Sequence, residues 1–243
     1  MPFLAVDAGN SSVKAAVWDG AWSEVQRYPS DEASLAAWTE RLESVGAADL
    51  GGIASVVPRL TDTLRQAVRD ATGARPVQVS AALPLPFRLA YRTPLTLGAD
   101  RLAAAVAAHA LAGGRAAVAI DAGTAITLDV VSAEPSFLGG AIVPGPDLLR
   151  RALARDTGQL PDVPWALPES PIGGSTVESI QAGLSVLVLD GVAGLLGRTV
   201  EAVGGDALVV ATGGWAPWLA GHLAVDRVVP TLVLDGIRQL AAR

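Results

Sequence analysis

The stretch Phe3-Leu-Ala-Val-Asp7-Ala-Gly9-Asn10-Ser11 is the key to the fold, because a closely similar stretch returns later in the chain. The second copy reads Ala116-Ala-Val-Ala-Ile-Asp121-Ala-Gly123-Thr124-Ala125. In each copy a short apolar run predicts a buried strand, an acid ends it, and a glycine marks a turn. A second strand is predicted after each turn, at residues 12–18 and 126–131. Since internal repeats set the architecture, the sequence predicts two similar α/β halves.

The rest of the chain predicts strands and helices in alternation. Strands are predicted at 3–7, 12–18, 21–28, 52–57, 76–79, 116–121, 126–131, 137–143 and 208–211. Helices are predicted at 34–45, 60–71, 98–113, 146–155, 217–222 and 232–241. A long helical region opens at the capping box Ser175-Thr-Val-Glu178, and Gly191, Gly194 and Gly197 further along are expected to bend or divide that region. The boundary falls near Gly113-Gly114, which gives halves of residues 1–114 and 115–243. Open α/β sheets bind ligands at the carboxyl ends of their strands, so Asp7 and Asp121 are expected to face a cleft between the halves.

Composition excludes several classes of protein. Of the 243 residues, 51% are hydrophobic and 17% charged, which excludes intrinsic disorder. The absence of cysteine removes disulfides, thiolate zinc sites and a cysteine nucleophile, and it suits a reducing, cytoplasmic compartment. A net charge of −6 argues against a nucleic-acid partner. The longest uncharged run, residues 207–225, is interrupted by Gly213-Gly214 and Pro217, so no membrane segment is expected.

The first Asp-x-Gly turn is a candidate phosphate site. Its glycine allows backbone N–H groups to approach a phosphate, and Asp7 could hold a hydrated Mg²⁺ beside it. Lys14 follows on the next strand and is the only lysine among 18 basic residues. A compact ammonium differs chemically from the planar guanidinium used elsewhere, which favours a specific role. The alternative is an ordinary hairpin with a solvated lysine, and the turn matches neither a Walker loop nor a dinucleotide fingerprint.

A second cluster, Gly98-Ala-Asp100-Arg101, lies where a proline-containing loop enters an alanine-rich helix. Asp100 could accept a proton from a substrate hydroxyl, and Arg101 could clamp an anionic group. The alternative is that both residues cap the helix dipole and pair with each other. Tyr91 lies seven residues before Gly98 and is either a substrate contact or a half-buried loop aromatic.

Two glycine pairs lie beside strands, at Gly139-Gly140 and at Gly213-Gly214. They could let the backbone approach a flat nucleoside, or they could form a bulge and a strand-to-helix turn. The only histidines, His109 and His222, are far apart in sequence. A histidine metal centre or a Ser-His-Asp triad is therefore not expected.

Together these segments resemble the type III pantothenate kinases, of the acetate-and-sugar-kinase/actin-like ATPase superfamily, over essentially the whole chain. The matching motifs are Asp7-Ala-Gly-Asn-Ser-Ser-Val-Lys14, Gly98-Ala-Asp-Arg101 with Tyr91 upstream, Asp121-Ala-Gly-Thr124-Ala-Ile-Thr127, Leu138-Gly-Gly-Ala-Ile-Val-Pro-Gly145 and Ile172-Gly-Gly-Ser-Thr176. Each motif is weak alone, but their order and spacing are specific. The resemblance implies two actin-like ATPase (ribonuclease H-like) halves, each a mixed five-stranded sheet flanked by helices, with a cleft between them.

The resemblance also implies a reaction, the ATP-dependent phosphorylation of the terminal hydroxyl of pantothenate in the first step of coenzyme A biosynthesis. It implies that Asp100 is the proton acceptor and that Asp121 binds a monovalent cation, K⁺ or NH₄⁺. The implied ATP-binding residues are Asp7, Ala8, Gly9, Asn10, Ser11, Ser12, Val13, Lys14 and Thr124. The implied pantothenate-binding residues are Tyr91, Gly98, Ala99, Asp100, Arg101 and Thr176. Mg²⁺, a homodimer with the substrate site near its interface, and a cytoplasmic location are implied as well.

The chain departs from the family pattern at three places. Ser11 stands where threonine is usual, Ala122 where phenylalanine is common, and Gly174-Ser175 where more polar residues are frequent. None of these changes removes a functional group assigned above, although they affect the expected substrate affinity. Two alternatives stay open, a kinase of the same superfamily acting on a sugar or other small alcohol, and a non-catalytic regulatory homologue.

Overall fold

The first sheet is built around the buried strand that ends near Asp7. In this computed structural model, which describes residues 1–31 and 33–243, its strands are β1 (Phe3–Ala8), β2 (Ser12–Trp18), β3 (Gln26–Pro29), β4 (Leu50–Ser55) and β5 (Val77–Gln78). They lie in the order β3-β2-β1-β4-β5. β2 is antiparallel to both of its neighbours, and β4 is parallel to β1 and β5.

The second sheet repeats this topology and adds one strand. Its strands are β6 (Arg88–Leu89), β7 (Ala116–Ala122), β8 (Ala125–Val131), β9 (Ser136–Pro144), β10 (Ala207–Thr212) and β11 (Arg227–Val228). They lie in the order β11-β10-β7-β8-β9-β6. β7 is antiparallel to β8 and parallel to β10, as β1 is to β2 and β4. The duplication predicted from the two Asp-x-Gly turns is confirmed.

Helices separate the two sheets and cover their outer faces. The helices of the described residues are α1 (Leu35–Glu43), α2 (Pro58–Thr72), α3 (Ala99–Ala112), α4 (Pro146–Asp156), α5 (Thr176–Ala202), α6 (Ala216–Ala220) and α7 (Leu232–Ala241). α1 and α2 cover the first sheet, and α5 and α6 pack on the second. α3 and α7 lie between the sheets in a shared core. A Cβ at Gly236 would lie 1.9 Å from the carbonyl oxygen of Ala103, so glycine is needed where these two helices touch.

The second sheet has six strands where five were predicted. The additional strand, β6, pairs with β9 because the Arg88 N–H donates to Pro135 O and the Ala90 N–H to Phe137 O, both at 2.9 Å. Prolines around this pair made the segment look irregular in sequence.

The division at residue 114 stays a prediction. β6 belongs by pairing to the second sheet, and α7 contacts β1 and β4 of the first.

Two further expectations differ from the structure. β3 begins at Gln26 rather than at residue 21, because Trp22 forms a bridge with Trp18 and donates its indole N–H to Asp235 at 2.9 Å. The long helix α5 is continuous from Thr176 to Ala202, so its glycines do not divide it. A Cβ at Gly191, Gly194 or Gly197 would meet no atom within 4 Å, so none of the three forms a close contact or a turn.

α5 is the single helix of the described chain that is long and apolar enough to cross a membrane. Val188, Val192 and Leu196 on one side of it are buried against the second sheet.

The first turn of α5 has the predicted capping box. The Ser175 hydroxyl accepts from the Glu178 N–H at 3.2 Å, and the Glu178 carboxylate accepts from the Gly174 N–H at 2.7 Å.

Candidate active site

A cavity of about 350 Å³ opens at the carboxyl ends of β1 and β7, where the two repeated turns face each other. It brings together most of the residues predicted to bind ATP with the predicted proton acceptor Asp100 and the predicted cation ligand Asp121. These are Asp7, Gly9, Asn10, Ser11, Ser12, Lys14, Asp100, Asp121 and Thr124. The cleft expected between two similar halves is therefore present, with acids from both halves on its wall.

In the first half the acid is paired with the only lysine. Asp7 and Lys14 lie directly opposite each other on β1 and β2, and their Oδ2 and Nζ atoms are 3.4 Å apart. Arg27 lies opposite Lys14 on β3 and also lines the cavity. Burial raises the pKa of Asp7, and the charge of Lys14 opposes that rise. This hairpin therefore presents two cations and one carboxylate to a ligand.

The tips of the two turns touch across the cleft. Each turn is closed by the amide of its glycine: the Gly9 N–H donates to Ser12 O at 3.1 Å, and the Gly123 N–H donates to Ala125 O at 2.9 Å. The second turn is one residue shorter than the first. The Ser11 and Thr124 hydroxyls lie 2.7 Å apart and are hydrogen-bonded. Two short polar side chains thus join the two turns across the cavity.

The acid of the second half has no partner. Among the described residues no side chain forms a hydrogen bond or ion pair with the Asp121 carboxylate. Burial raises its pKa to about 7; Lys14 opposes this, and the charges of Asp7 and Asp100 add to it. A Cβ at Gly213 would lie 2.6 Å from Asp121 Oδ1, so a glycine is required beside this carboxylate. Asp121 is thus a buried carboxylate on the cavity wall with no side-chain partner among the described residues.

Asp100 lies in the first turn of α3 and faces the cavity. Its Oδ1 atom accepts from the Arg101 backbone N–H at 2.7 Å. A Cβ at Gly98 would lie 2.6 Å from the same oxygen, which explains the glycine two residues earlier. Burial, followed by the charge of Asp7, raises the pKa of Asp100. A carboxylate with a raised pKa is a better proton acceptor.

Arg101 does not pair with Asp100 through its side chain. Its Nε and Nη2 atoms donate to Asp129 Oδ1 at 2.9 and 2.6 Å, and both side chains are buried. The Thr127 hydroxyl donates to Asp129 Oδ2 at 3.2 Å. Burial raises the pKa of Asp129 to about 6 although Arg101 opposes it. The Tyr91 ring packs edge-on against Phe137, with the ring centroids 5.8 Å apart.

Several predicted residues lie outside the cavity wall. The side chains of Ala8 and Val13 are fully buried in the first core, so only their backbone atoms are available to a ligand. Ala99 is buried in the shared core. Thr176 begins α5 and lines a different depression, beside Leu153, rather than the cleft. Tyr91, Gly98 and Arg101 do not line the cavity either, and all of the pantothenate assignments stay predictions.

Sequence reasoning missed five cavity-lining residues, which are Arg27, Val56, Asp147, Arg151 and Trp215. The indole N–H of Trp215 donates to the Asp147 carboxylate at 3.1 Å, which fixes the ring at one end of the cavity. Arg151 follows one helical turn after Asp147 on α4. The Gly213-Gly214 pair, singled out in sequence for approach to a nucleoside, leads directly to this tryptophan.

The other glycine pair has a structural role. A Cβ at Gly140 would lie 1.6 Å from Leu128 O, so glycine is needed between β8 and β9. Gly139 has φ +105°, and a Cβ there would lie 3.2 Å from the Tyr91 ring, next to an irregularity in the strand register. Here the bulge, one of the two sequence interpretations, is the one observed.

Solved structures resemble the whole fold at low sequence identity. A protein from Campylobacter jejuni, described as a conserved putative Baf family transcriptional activator, has a TM-score of 0.60 at 20% identity, over 98% of this chain and 97% of that one. The ROK hexokinase of Thermus thermophilus has a TM-score of 0.53 at 15% identity, over 99% of this chain and 98% of that one. These similarities support the actin-like ATPase fold.

Sequence comparison is more specific. The type III pantothenate kinase family model matches residues 3–201. Relatives named type III pantothenate kinase include that of Moorella thermoacetica, 32% identical over 97% of this chain and 96% of that protein. The relative from Legionella pneumophila strain Corby is 36% identical over 98% and 97%. The chain therefore belongs to the type III pantothenate kinase family.

Proposed function

We propose that the cleft between the two halves is the active site at which this chain phosphorylates pantothenate with ATP, the first step of coenzyme A biosynthesis. The observation that carries the assignment is the meeting of Asp7, Lys14, Asp100 and Asp121 from both halves in one cavity. Phosphoryl transfer depends on positioning and charge neutralisation more than on covalent groups of the protein. A cleft with cations, turn N–H groups and one well-placed carboxylate suits that chemistry.

The nucleotide lies along the line from the repeated turns to Trp215. Its phosphates contact the Asp7–Lys14 hairpin and Thr124, where Lys14 and Arg27 supply positive charge. The base lies at the other end of the cavity, against the ring of Trp215 and close to Arg151. Aromatic rings stack on bases without needing a specific edge, so this end gives affinity for any purine nucleotide.

Asp100 accepts the proton of the reacting hydroxyl. The hydroxyl oxygen of pantothenate forms a bond to the γ-phosphorus of ATP as the bond from that phosphorus to the β-bridging oxygen breaks. The proton moves to the Asp100 carboxylate, and ADP leaves with the electron pair of the broken bond. Asp100 must be ionised to act, and its raised pKa makes it a stronger base than a solvent-exposed aspartate.

Two kinds of cation fit the residues present. Asp7 is a hard oxygen donor beside the phosphates, and no group of three or more metal-ligating side chains occurs in the described residues. This fits Mg²⁺, which is usually held by one or two carboxylates and by substrate phosphates. The unpaired carboxylate of Asp121 fits a monovalent cation, K⁺ or NH₄⁺. When bound, such cations offset the charge of the phosphates.

The pantothenate site is completed by a second copy of the chain. Large apolar side chains on β9 and α5 are exposed, with Ile142 at 61% and Leu187 at 58%. Exposed apolar surface of this kind is typical of an interface. Thr176 begins α5 outside the cleft of its own chain, and we assign it to the partner's pantothenate site, while Tyr91, Gly98 and Arg101 bind pantothenate within their own chain. Leu187→Glu should convert a dimer measured by light scattering into a monomer; unchanged mass would refute this interface.

The test of the function is a substrate panel analysed by mass spectrometry, carried out with ATP and Mg²⁺ in a K⁺ buffer. Pantothenate should be converted to 4′-phosphopantothenate, with glucose and other small alcohols as controls. Preferential phosphorylation of another alcohol would favour a different kinase of the superfamily. ATP binding without transfer to any alcohol would favour a non-catalytic regulator. We place the enzyme in the cytoplasm, where ATP and the reducing conditions suited to a cysteine-free chain are found.

A further inference from the structure

Asp129 is a buried acid near the cleft that none of the roles above uses. Its side chain is 1% exposed, and it lies on β8 two residues after Thr127, which lines the cavity. Desolvating a carboxylate is costly unless it is paired and fully hydrogen-bonded. Asp129 meets that condition through two donors from Arg101 and one from Thr127.

The position of Asp129 is determined by the second sheet. On β8 it lies opposite Ala119 of β7 and Gly140 of β9. Gly140 admits no side chain, since its Cβ would collide with Leu128 O. The carboxylate is therefore held on a rigid part of the protein, while its partner Arg101 lies in the first helical turn of α3.

Asp129 uses only part of the Arg101 guanidinium. Nε and Nη2 bind one oxygen of the carboxylate, while Nη1 is not among the donors to Asp129. An arginine fork held at one edge keeps its other donors at a defined angle, which suits recognition of a carboxylate.

We propose that Asp129 is a positioning residue for the pantothenate carboxylate: it fixes the Arg101 guanidinium without touching the substrate. The inference rests on the proposed role of Arg101 in binding pantothenate. It follows that Asp129 and Arg101 act as one unit. Loss of either should weaken pantothenate binding, and loss of both should cost little more than loss of Arg101 alone.

A double-mutant cycle tests this unit, using Asp129→Asn, Arg101→Met and the double variant of the full-length protein. Asp129→Asn should raise the KM for pantothenate about tenfold or more, with the KM for ATP changed by less than about twofold. The double variant should match Arg101→Met within about twofold. Asp235→Asn is the control, because Asp235 also accepts two side-chain hydrogen bonds but lies outside the cleft.

The outcomes separate this inference from the proposed function. If Arg101→Met leaves the KM for pantothenate unchanged, the assignment of Arg101 to the substrate is wrong. If Arg101→Met raises that KM but Asp129→Asn does not, or if the two effects multiply in the double variant, the positioning role of Asp129 is refuted.

A second measurement covers the case in which Asp129→Asn fails to fold. Methylguanidinium added to Arg101→Ala should occupy the place beside Asp129 and lower the KM for pantothenate severalfold. The same salt should leave the wild-type enzyme unaffected. Absence of any recovery in the Arg101→Ala enzyme would overturn the proposal.

Discussion

The two repeated turns join equivalent strands of the two sheets but differ in their electrostatics. In the first, Asp7 lies opposite Lys14 across the hairpin and is paired with it. In the second, the residue opposite Asp121 in the same register is Thr127, and the acid has no partner among the described side chains. The two copies of the turn thus differ in the charge that they present to the cavity. One half pairs its own acid with a lysine, while the other leaves its acid without a side-chain partner, which is why we propose that the first binds phosphate and the second a cation from solution.

The largest expected effect on activity is that of a substitution at Asp100. This residue belongs to neither turn but faces the cavity between them. Asp100→Asn removes the proton acceptor and should lower kcat about 10³-fold or more, with the affinity for ATP nearly unchanged. Isothermal titration with ATP and a kinetic assay check both parts. A variant that retains kcat, or one that loses ATP binding with an intact fold, would contradict the assignment.

Lys14→Arg tests the first turn. Arginine keeps the charge but replaces a compact ammonium with a wide planar fork, so it should fit poorly between Asp7 and a phosphate. We expect kcat/KM for ATP to fall roughly 10- to 100-fold, measured with pantothenate saturating. Arg65→Lys, the reverse exchange at an exposed ion pair, is the matched control and should have no effect. Wild-type kinetics in Lys14→Arg would identify Lys14 as an ordinary surface lysine.

Thr127→Lys and Asp121→Asn ask whether the second turn depends on an external cation. Thr127→Lys places an ammonium where Lys14 lies in the first turn, and it should abolish the difference in activity between K⁺ and Na⁺. Asp121→Asn removes the charge that attracts the cation and should abolish the same difference. A cation effect of wild-type size in Asp121→Asn would show that K⁺ acts elsewhere.

The stability of the apo enzyme should depend on the ionisation of Asp121. Its folded-state pKa of about 7 lies above the ordinary aspartate value of 3.8, so the folded state holds this proton more tightly than the unfolded chain. The contribution of Asp121 to stability therefore falls as pH rises from about 4 through 7. Without K⁺ at pH 8, Asp121→Asn should be more stable than the wild type by ~2 kcal/mol in urea unfolding. At a pH of about 4 this advantage should vanish. An equal advantage at both pH values would mean that burial of the charged carboxylate is not its cause.

The smallest effect is expected where the turns touch. Ser11→Ala removes the hydrogen bond between the Ser11 and Thr124 hydroxyls, which is exposed and joins the halves across the cleft. An exposed neutral hydrogen bond contributes about 1 kcal/mol or less, so the KM for ATP should change by less than about fivefold. A loss as large as that of Lys14→Arg would mean that Ser11 carries more of the nucleotide binding than the contact accounts for.

Local features of this fold could be predicted from sequence, but contacts between distant segments could not. The two Asp-x-Gly turns, their hairpins and the entry of Asp100 into α3 follow from apolar runs and glycines, which act over a few residues. The pairing of Arg101 with Asp129 depends on how α3 packs on the second sheet. Likewise Trp215 and Arg27 reach the cleft only because separate strands end at the same edge. No local periodicity encodes these approaches.

The decisive experiment is to measure the rate of phosphopantothenate formation by the purified enzyme with ATP and Mg²⁺, in K⁺ and in Na⁺. We predict product from pantothenate in both salts and a higher rate in K⁺, because the free Asp121 carboxylate binds that ion. Failure to form phosphopantothenate in either salt would contradict the proposed active site. Equal rates in the two salts would contradict the division of charge between the halves.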